Sequence, residues 1–156
     1  MSNNSIWNCA MFGYIDKLKY LVEVEGIDVN SKNINIMCWT PIHFATIHCK
    51  FEILTYLLEK GADVNIKEIN GHTPLHYAAH DGLVDVISFL LNHGADPKIK
   101  TNDGKTPVDY ARDNNLSNCI TVFENYEREK LRKLNEAKVD IESKKINVHN
   151  NSNNSS

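Results

Sequence analysis

The apolar positions of the chain fall in short clusters at helical spacing, broken by glycines and polar turns. Ile42, Phe44 and Ala45 form one side of a short helix, and Leu75, Tyr77, Ala78 and Ala79 form another. Each is preceded by Thr-Pro, at Thr40-Pro41 and Thr73-Pro74. Threonine accepts hydrogen bonds from free N–H groups at a helix start, and proline suits the first helical position. Gly82 stands where the second of these helices must end in a left-handed residue. Val84, Val86, Ile87, Phe89, Leu90 and Leu91 then predict a second, more apolar helix that Gly94 stops. Asp96 to Lys105 reads as a turn-rich loop with Asn102-Asp103-Gly104 at its tip. Neither short helix can bury its apolar face alone, so the pattern requires stacked neighbours, with Phe44 and Leu90 in the core.

The pattern repeats. Thr40-Pro41-Ile42-His43-Phe44-Ala45, Thr73-Pro74-Leu75-His76-Tyr77-Ala78 and Thr106-Pro107-Val108-Asp109-Tyr110-Ala111 start 33 residues apart. Leu57-Leu58-Glu59-Lys60-Gly61-Ala62-Asp63 recurs in phase as Leu90-Leu91-Asn92-His93-Gly94-Ala95-Asp96. A divergent first unit aligns Ile6 to Ala10 with Ile42 to Thr46, and Gly26 to Asn30 with Gly61 to Asn65. It carries one extra residue near Glu25 and two more in the loop from Asn33 to Cys38.

The period and the Thr-Pro-Leu-His-x-Ala signature resemble the ankyrin-repeat family over roughly residues 5 to 125. The resemblance implies an all-α solenoid of helix-turn-helix units with loop or β-turn fingers. The units are expected at about 3–35, 36–68, 69–101 and 102–125 of a repeat domain spanning 1–125. It also implies that His43 and His76 are structural, bonding the threonine and nearby backbone. Cys49 takes the place of Gly13 and Gly82, where a Cβ is strained, and Asn115 fills it more comfortably. Asn65 resembles the asparagine that an oxygen-dependent hydroxylase modifies in many ankyrin repeats, with Leu57 and Asp63-Val64 ahead of it. A loop hydrogen-bonding role is the plainer reading and is favoured.

Beyond the repeats, Glu124 to Lys145 is charged and rich in helix formers, with i,i+4 pairs such as Glu129–Lys133. A charged helical extension is expected over 126–146, and a disordered Asn/Ser tail over 147–156. Leu131, Leu134 and Ile141 give only a thin stripe, interrupted by Lys138. A solvated helix is therefore favoured over a coiled coil.

Composition narrows the function. The formal net charge of −3 argues against general nucleic-acid or membrane-surface binding. No apolar run reaches membrane-span length, and the N-terminus lacks the basic and apolar regions of a secretory signal. Cys9, Cys38, Cys49 and Cys119 are scattered, which favours free thiols and a cytoplasmic or nuclear location. His76 and His80 have a spacing that can hold a metal, but no further ligand completes a set, so no metal and no cofactor are expected. Asp81, Asp85 and Asp109 match no nucleophile–base order, and no phosphate-binding glycine loop occurs, so a non-catalytic protein is expected.

The family resemblance implies binding of another protein, through the loop tips and the exposed ends of the first helix of each unit. Those positions hold Met11 and Phe12 in the first unit, and Ile36, Met37, Trp39, Ile47 and His48 in the second. They hold His72, His80 and Asp81 in the third and Lys105 in the fourth. The first two units thus place large apolar groups where the last places polar ones, as a contiguous patch at a protein interface would. Either the loop from Asn33 to Trp39 presents these groups or it folds over them. Presentation is favoured, and it makes Trp39 solvent-facing and cheap to remove. The expected molecule is a monomeric adaptor, inhibitor or assembly factor. The alternative is a targeting module whose charged extension, with Arg128, Lys130, Arg132 and Lys133, contacts RNA or ribosomal protein.

Overall fold

The computed structural model describes residues 5–153, with side chains to residue 145. Among these residues lie α1 (Ile6–Phe12), α2 (Ile15–Glu23), α3 (Pro41–Ile47), α4 (Phe51–Glu59), α5 (Pro74–His80), α6 (Val84–Asn92), α7 (Pro107–Asp113) and α8 (Ser117–Asn153). Helices α1, α3, α5 and α7 pack side by side in one row. Helices α1, α3 and α5 are each backed by the helix that follows. This is the all-α repeat solenoid expected from the sequence. Thr40, Thr73 and Thr106 each cap a seven-residue inner helix through a capping box closed by His43, His76 and Asp109. Leu18, Ile42, Leu54, Leu57, Leu75, Ile87 and Leu90 are fully buried between the rows, with Phe44 almost so.

Each inner helix ends the same way. The residue at its left-handed exit is Gly13 (φ 83°), Cys49 (φ 51°), Gly82 (φ 73°) or Asn115 (φ 55°). The next N–H then returns to a carbonyl five residues back, as in Lys50 to Ala45 and Leu83 to Ala78. Cys49 therefore holds the strained conformation its place in the repeat demands.

The two insertions also have visible geometry. After α4 and α6 the chain turns with Ala62 N–H on Leu57 O and Ala95 N–H on Leu90 O, but after α2 the turn closes from Ile27 to Leu21, one residue wider. The finger of the second unit closes from Asn33 N–H to Trp39 O (2.7 Å), two residues longer than Glu68 to His72 or Thr101 to Lys105. Met37 (φ 46°) adds a left-handed residue there, whereas Cys38 (φ 60°) keeps the left-handed place that Gly71 (φ 84°) and Gly104 (φ 80°) hold in the other two fingers.

Neighbouring units are also hooked together by side chains. Asn30 Oδ1 accepts the Asp63 N–H (2.9 Å) and its amide donates to Gly61 O (3.2 Å). Asn65 does the same to Asp96 (2.8 Å) and Gly94 (3.3 Å).

The chain divides into two compact units at Val122/Phe123, the first holding the repeats. In the second, α8 exposes Leu131, Leu134, Val139 and Ile141, while Arg132 bonds Glu129 (3.0 Å) and lies 3.8 Å from Glu136. The helix continues through 147–153 of the Asn/Ser tail, to the last of the described residues. Residues 154–156 of that tail lie outside them.

Candidate functional site

The candidate surface is built from the fingers and the inner helices. Each finger rises on an alternation of exposed and inward residues. Lys67 and Ile69 face out around buried Glu68, Lys100 and Asn102 around buried Thr101, and Lys32 and Ile34 around half-buried Asn33. The inward residue ties its own finger. Glu68 Oε1 accepts the N–H groups of Asn70 (2.9 Å) and His72 (3.0 Å) and the His72 ring Nδ1–H (2.7 Å). Burial alone would raise the Glu68 pKa, but these donors hold it below the ordinary carboxylate range. Asn33 Oδ1 accepts from Asn35 N–H and Thr101 Oγ1 from Lys105 N–H in the same way. Fingers are joined by Ile69 N–H to Met37 O (3.1 Å) and Asn102 N–H to Asn70 O (3.0 Å).

The inner helices carry the repeated histidine. His43 Nδ1 accepts the Thr40 N–H (3.2 Å), and its Nε2–H donates to His72 O of the next unit (3.4 Å). His76 repeats this with Thr73 (3.0 Å) and Lys105 O (3.2 Å). A carbonyl only accepts, so the bond pattern assigns the proton to Nε2 and leaves both rings neutral. Burial pushes both pKa values down to about 4. In the last unit Asp109 closes the same cap from the Thr106 N–H (2.9 Å) and hydroxyl (2.6 Å). Both His76 nitrogens are thus occupied, so the His76/His80 spacing gathers no metal ligands.

The sequence-predicted residues separate into two groups and two exceptions. Phe12 is 52% exposed and stacks on Tyr14 at 5.8 Å, with Met11 half-buried before it. His48 is exposed, with half-buried Ile47 beside it. His80 and Asp81 are both exposed and bonded at 2.6 Å. These residues lie at the C-terminal ends of the inner helices. Ile36 and Met37 are exposed on the finger of the second unit, at the N-terminal end of α3. About 10 Å of helix separates the two ends, so the single contiguous patch expected from the sequence is two patches. Lys105 is exposed and bonded to Asp113 (2.6 Å).

Trp39 and His72 are the exceptions. Trp39 is half-buried, not solvent-facing. Its Nε1–H donates to Tyr77 OH (3.1 Å), and the ring packs edge-on to Tyr77 at 4.8 Å and Phe44 at 5.2 Å. The loop therefore neither presents all of its apolar groups nor covers them. It folds the indole onto the next unit and leaves Ile36 and Met37 out. His72, one repeat later, is held between Glu68 and Tyr110 OH (2.9 Å). Ile34 and Ile69, 83% and 63% exposed, are the most open apolar residues of the fingers. Ile34 escaped the sequence reading because the longer loop hides its place in the repeat.

A stack of two-helix units capped by Thr-Pro and bridged by histidines defines a helical repeat protein. Models of ankyrin repeats match residues 6–58 and 57–111, and the chain belongs to the ankyrin-repeat family. It is 45% identical over 58 residues to alpha-latrocrustotoxin-Lt1a of Latrodectus tredecimguttatus, covering 37% of this chain and 4% of the toxin. It is 39% identical over 62 residues to ankyrin repeat domain-containing protein 40 of Mus musculus and of Homo sapiens, covering 40% of this chain and 16% of each relative. The chain thus spans only a small part of the length of these relatives. Ankyrin repeats are generally protein–protein interaction modules and typically non-catalytic.

Proposed function

We propose that this chain binds a partner protein as an adaptor, inhibitor or assembly factor, using the fingers and inner helices of its first three units. The observation that carries this reading is the distribution of exposed apolar groups. Ile34, Ile36, Met37 and Ile69 project from the fingers, Phe12 from the end of the first inner helix and Tyr14 from the turn that follows it. The matching places of the fourth unit hold Asn102, Asp103 and an ion-paired Lys105. Exposed apolar clusters rimmed by polar groups mark interfaces. Trp39 and His72 support the surface from beneath, while His48, His80 and Asp81 flank it. No described helix is long and apolar enough to cross a membrane. The reading goes with a monomer in the cytoplasm or nucleus.

Cross-linking tests it. A photoreactive group at Ile34 or Phe12 should trap the same partner from an extract of the source cells, and one at Asn102 should not. Equal trapping at all three positions would refute the assignment. The reading in which α8 contacts RNA gains no support, because Arg132 is engaged by Glu129 and Glu136. Both ends of the Asn65 amide bridge two units, so the hydrogen-bonding role suffices to explain the residue, and hydroxylation there would require the bridge to open.

A further inference from the structure

The three fingers share a feature besides their apolar tips. Lys32, Lys67 and Lys100 occupy the same place in successive fingers, each exposed and each two residues before the outward tip residue Ile34, Ile69 or Asn102. Residues i and i+2 of an extended segment lie on one side, so every finger shows a cation beside its tip on the surface turned away from the core. Lys32 and Lys100 make no ion pair among the described residues, and the Lys67 Nζ donates to Lys100 O (3.0 Å), leaning along the row toward the next finger. The acids of the preceding loops form no ion pair with these lysines among the described residues. Asp28, Asp63 and Asp96 each hold the N–H two residues on, at 2.8, 2.8 and 2.9 Å.

We propose that the lysine row and the isoleucine tips together form a track for an extended acidic segment of the partner protein, with carboxylates on the lysines and apolar side chains on Ile34 and Ile69. This rests on the finger surface being the binding face. Charge complementarity selects an acidic occupant, and the spacing selects its conformation. Packed helices lie about 8–10 Å apart, and the fingers rise from the ends of α3, α5 and α7. A polyproline II chain advances about 9 Å in three residues and returns every third side chain to the same edge. The track therefore suits a carboxylate at roughly every third residue, with an apolar group between.

The probe is a fluorescein-labelled peptide of four Glu-Pro-Ile triplets, titrated by anisotropy against the full chain. Controls are its Glu→Gln counterpart, a peptide of equal composition with the four glutamates consecutive, and a single-stranded DNA of similar charge. Binding is expected to favour the triplet peptide over every control and to weaken with added salt. The Lys32→Gln/Lys67→Gln/Lys100→Gln variant is expected to lose about tenfold, equivalent to about 1.4 kcal/mol. All three lysines are exposed, so the variant should melt as wild type does. Absence of binding, equal affinity for the glutamine peptide or the DNA, or an unaffected triple variant would each overturn the proposal. If instead the triple variant still cross-links the natural partner through position 34, the finger site stands and the acidic track falls.

Discussion

The buried histidines make the stability of the stack depend on pH in a way that can be worked from the structure. His43 and His76 are fully inaccessible, and burial sets their folded pKa values at about 4 against an unfolded 6.5. The charges facing them are Glu68 and His72 around His43, and His72 and Lys67 around His76. Below the unfolded value the unfolded chain binds protons that the folded chain refuses, so stability is complete above about pH 6.5 and drains away as pH falls toward 4. At pH 5 the loss covers about 1.5 pH units for each ring. At 1.36 kcal/mol per unit this is about 2 kcal/mol each, or about 4 kcal/mol together. Urea unfolding followed by tryptophan fluorescence and circular dichroism at pH 7.5 and pH 5 should show that loss. His43→Gln/His76→Gln, less stable at neutral pH, should show little further loss on acidification. Asp109, whose pKa its bonds from Thr106 hold below the usual range, should add its own loss only at lower pH. Equal pH sensitivity in wild type and the double variant would refute the reasoning.

Three further outcomes are expected. Phe44→Ala and Leu90→Ala should each cost about 2–5 kcal/mol in chemical denaturation, as truncations in a packed core do, and wild-type-like unfolding would show the core is misassigned. Trp39→Phe should cost about 1 kcal/mol through the lost bond to Tyr77, while pairing it with Tyr77→Phe should cost little more than either change alone; full additivity would mean the bond contributes nothing. Cys49→Gly should raise the melting temperature by relieving about 1 kcal/mol of left-handed strain, and an unchanged or lower value would show that the exit turn tolerates the Cβ.

Much of this was legible in the chain. The period, the Thr-Pro starts and the apolar spacing place the helices, and the shared exit position picks out Cys49 and Asn115 as left-handed. Glu68 was not legible, because a charged residue in a turn reads as solvated. Its burial follows from three donors that only the folded finger assembles. The signal was its equivalence to Asn33 and Thr101, two residues able to do the same work. Trp39 was misplaced because its partner, the Tyr77 hydroxyl, sits 38 residues away, where the preceding unit has Phe44. The lysine row was hidden by an unremarkable net charge, since its members lie far apart in sequence and meet only across the fingers.

The histidine bridges give the stack a direction. Each ring is satisfied on its own unit through Nδ1 but depends on a carbonyl 29 residues further along for Nε2–H. Asp109 ends the series with a group that asks nothing of a later neighbour. As the chain leaves the ribosome, His43 waits for His72 and His76 for Lys105, so each newly made unit completes the one before it. Deleting units from the C-terminal side would strand a buried donor at the cut, whereas deleting the first unit would strand none of these.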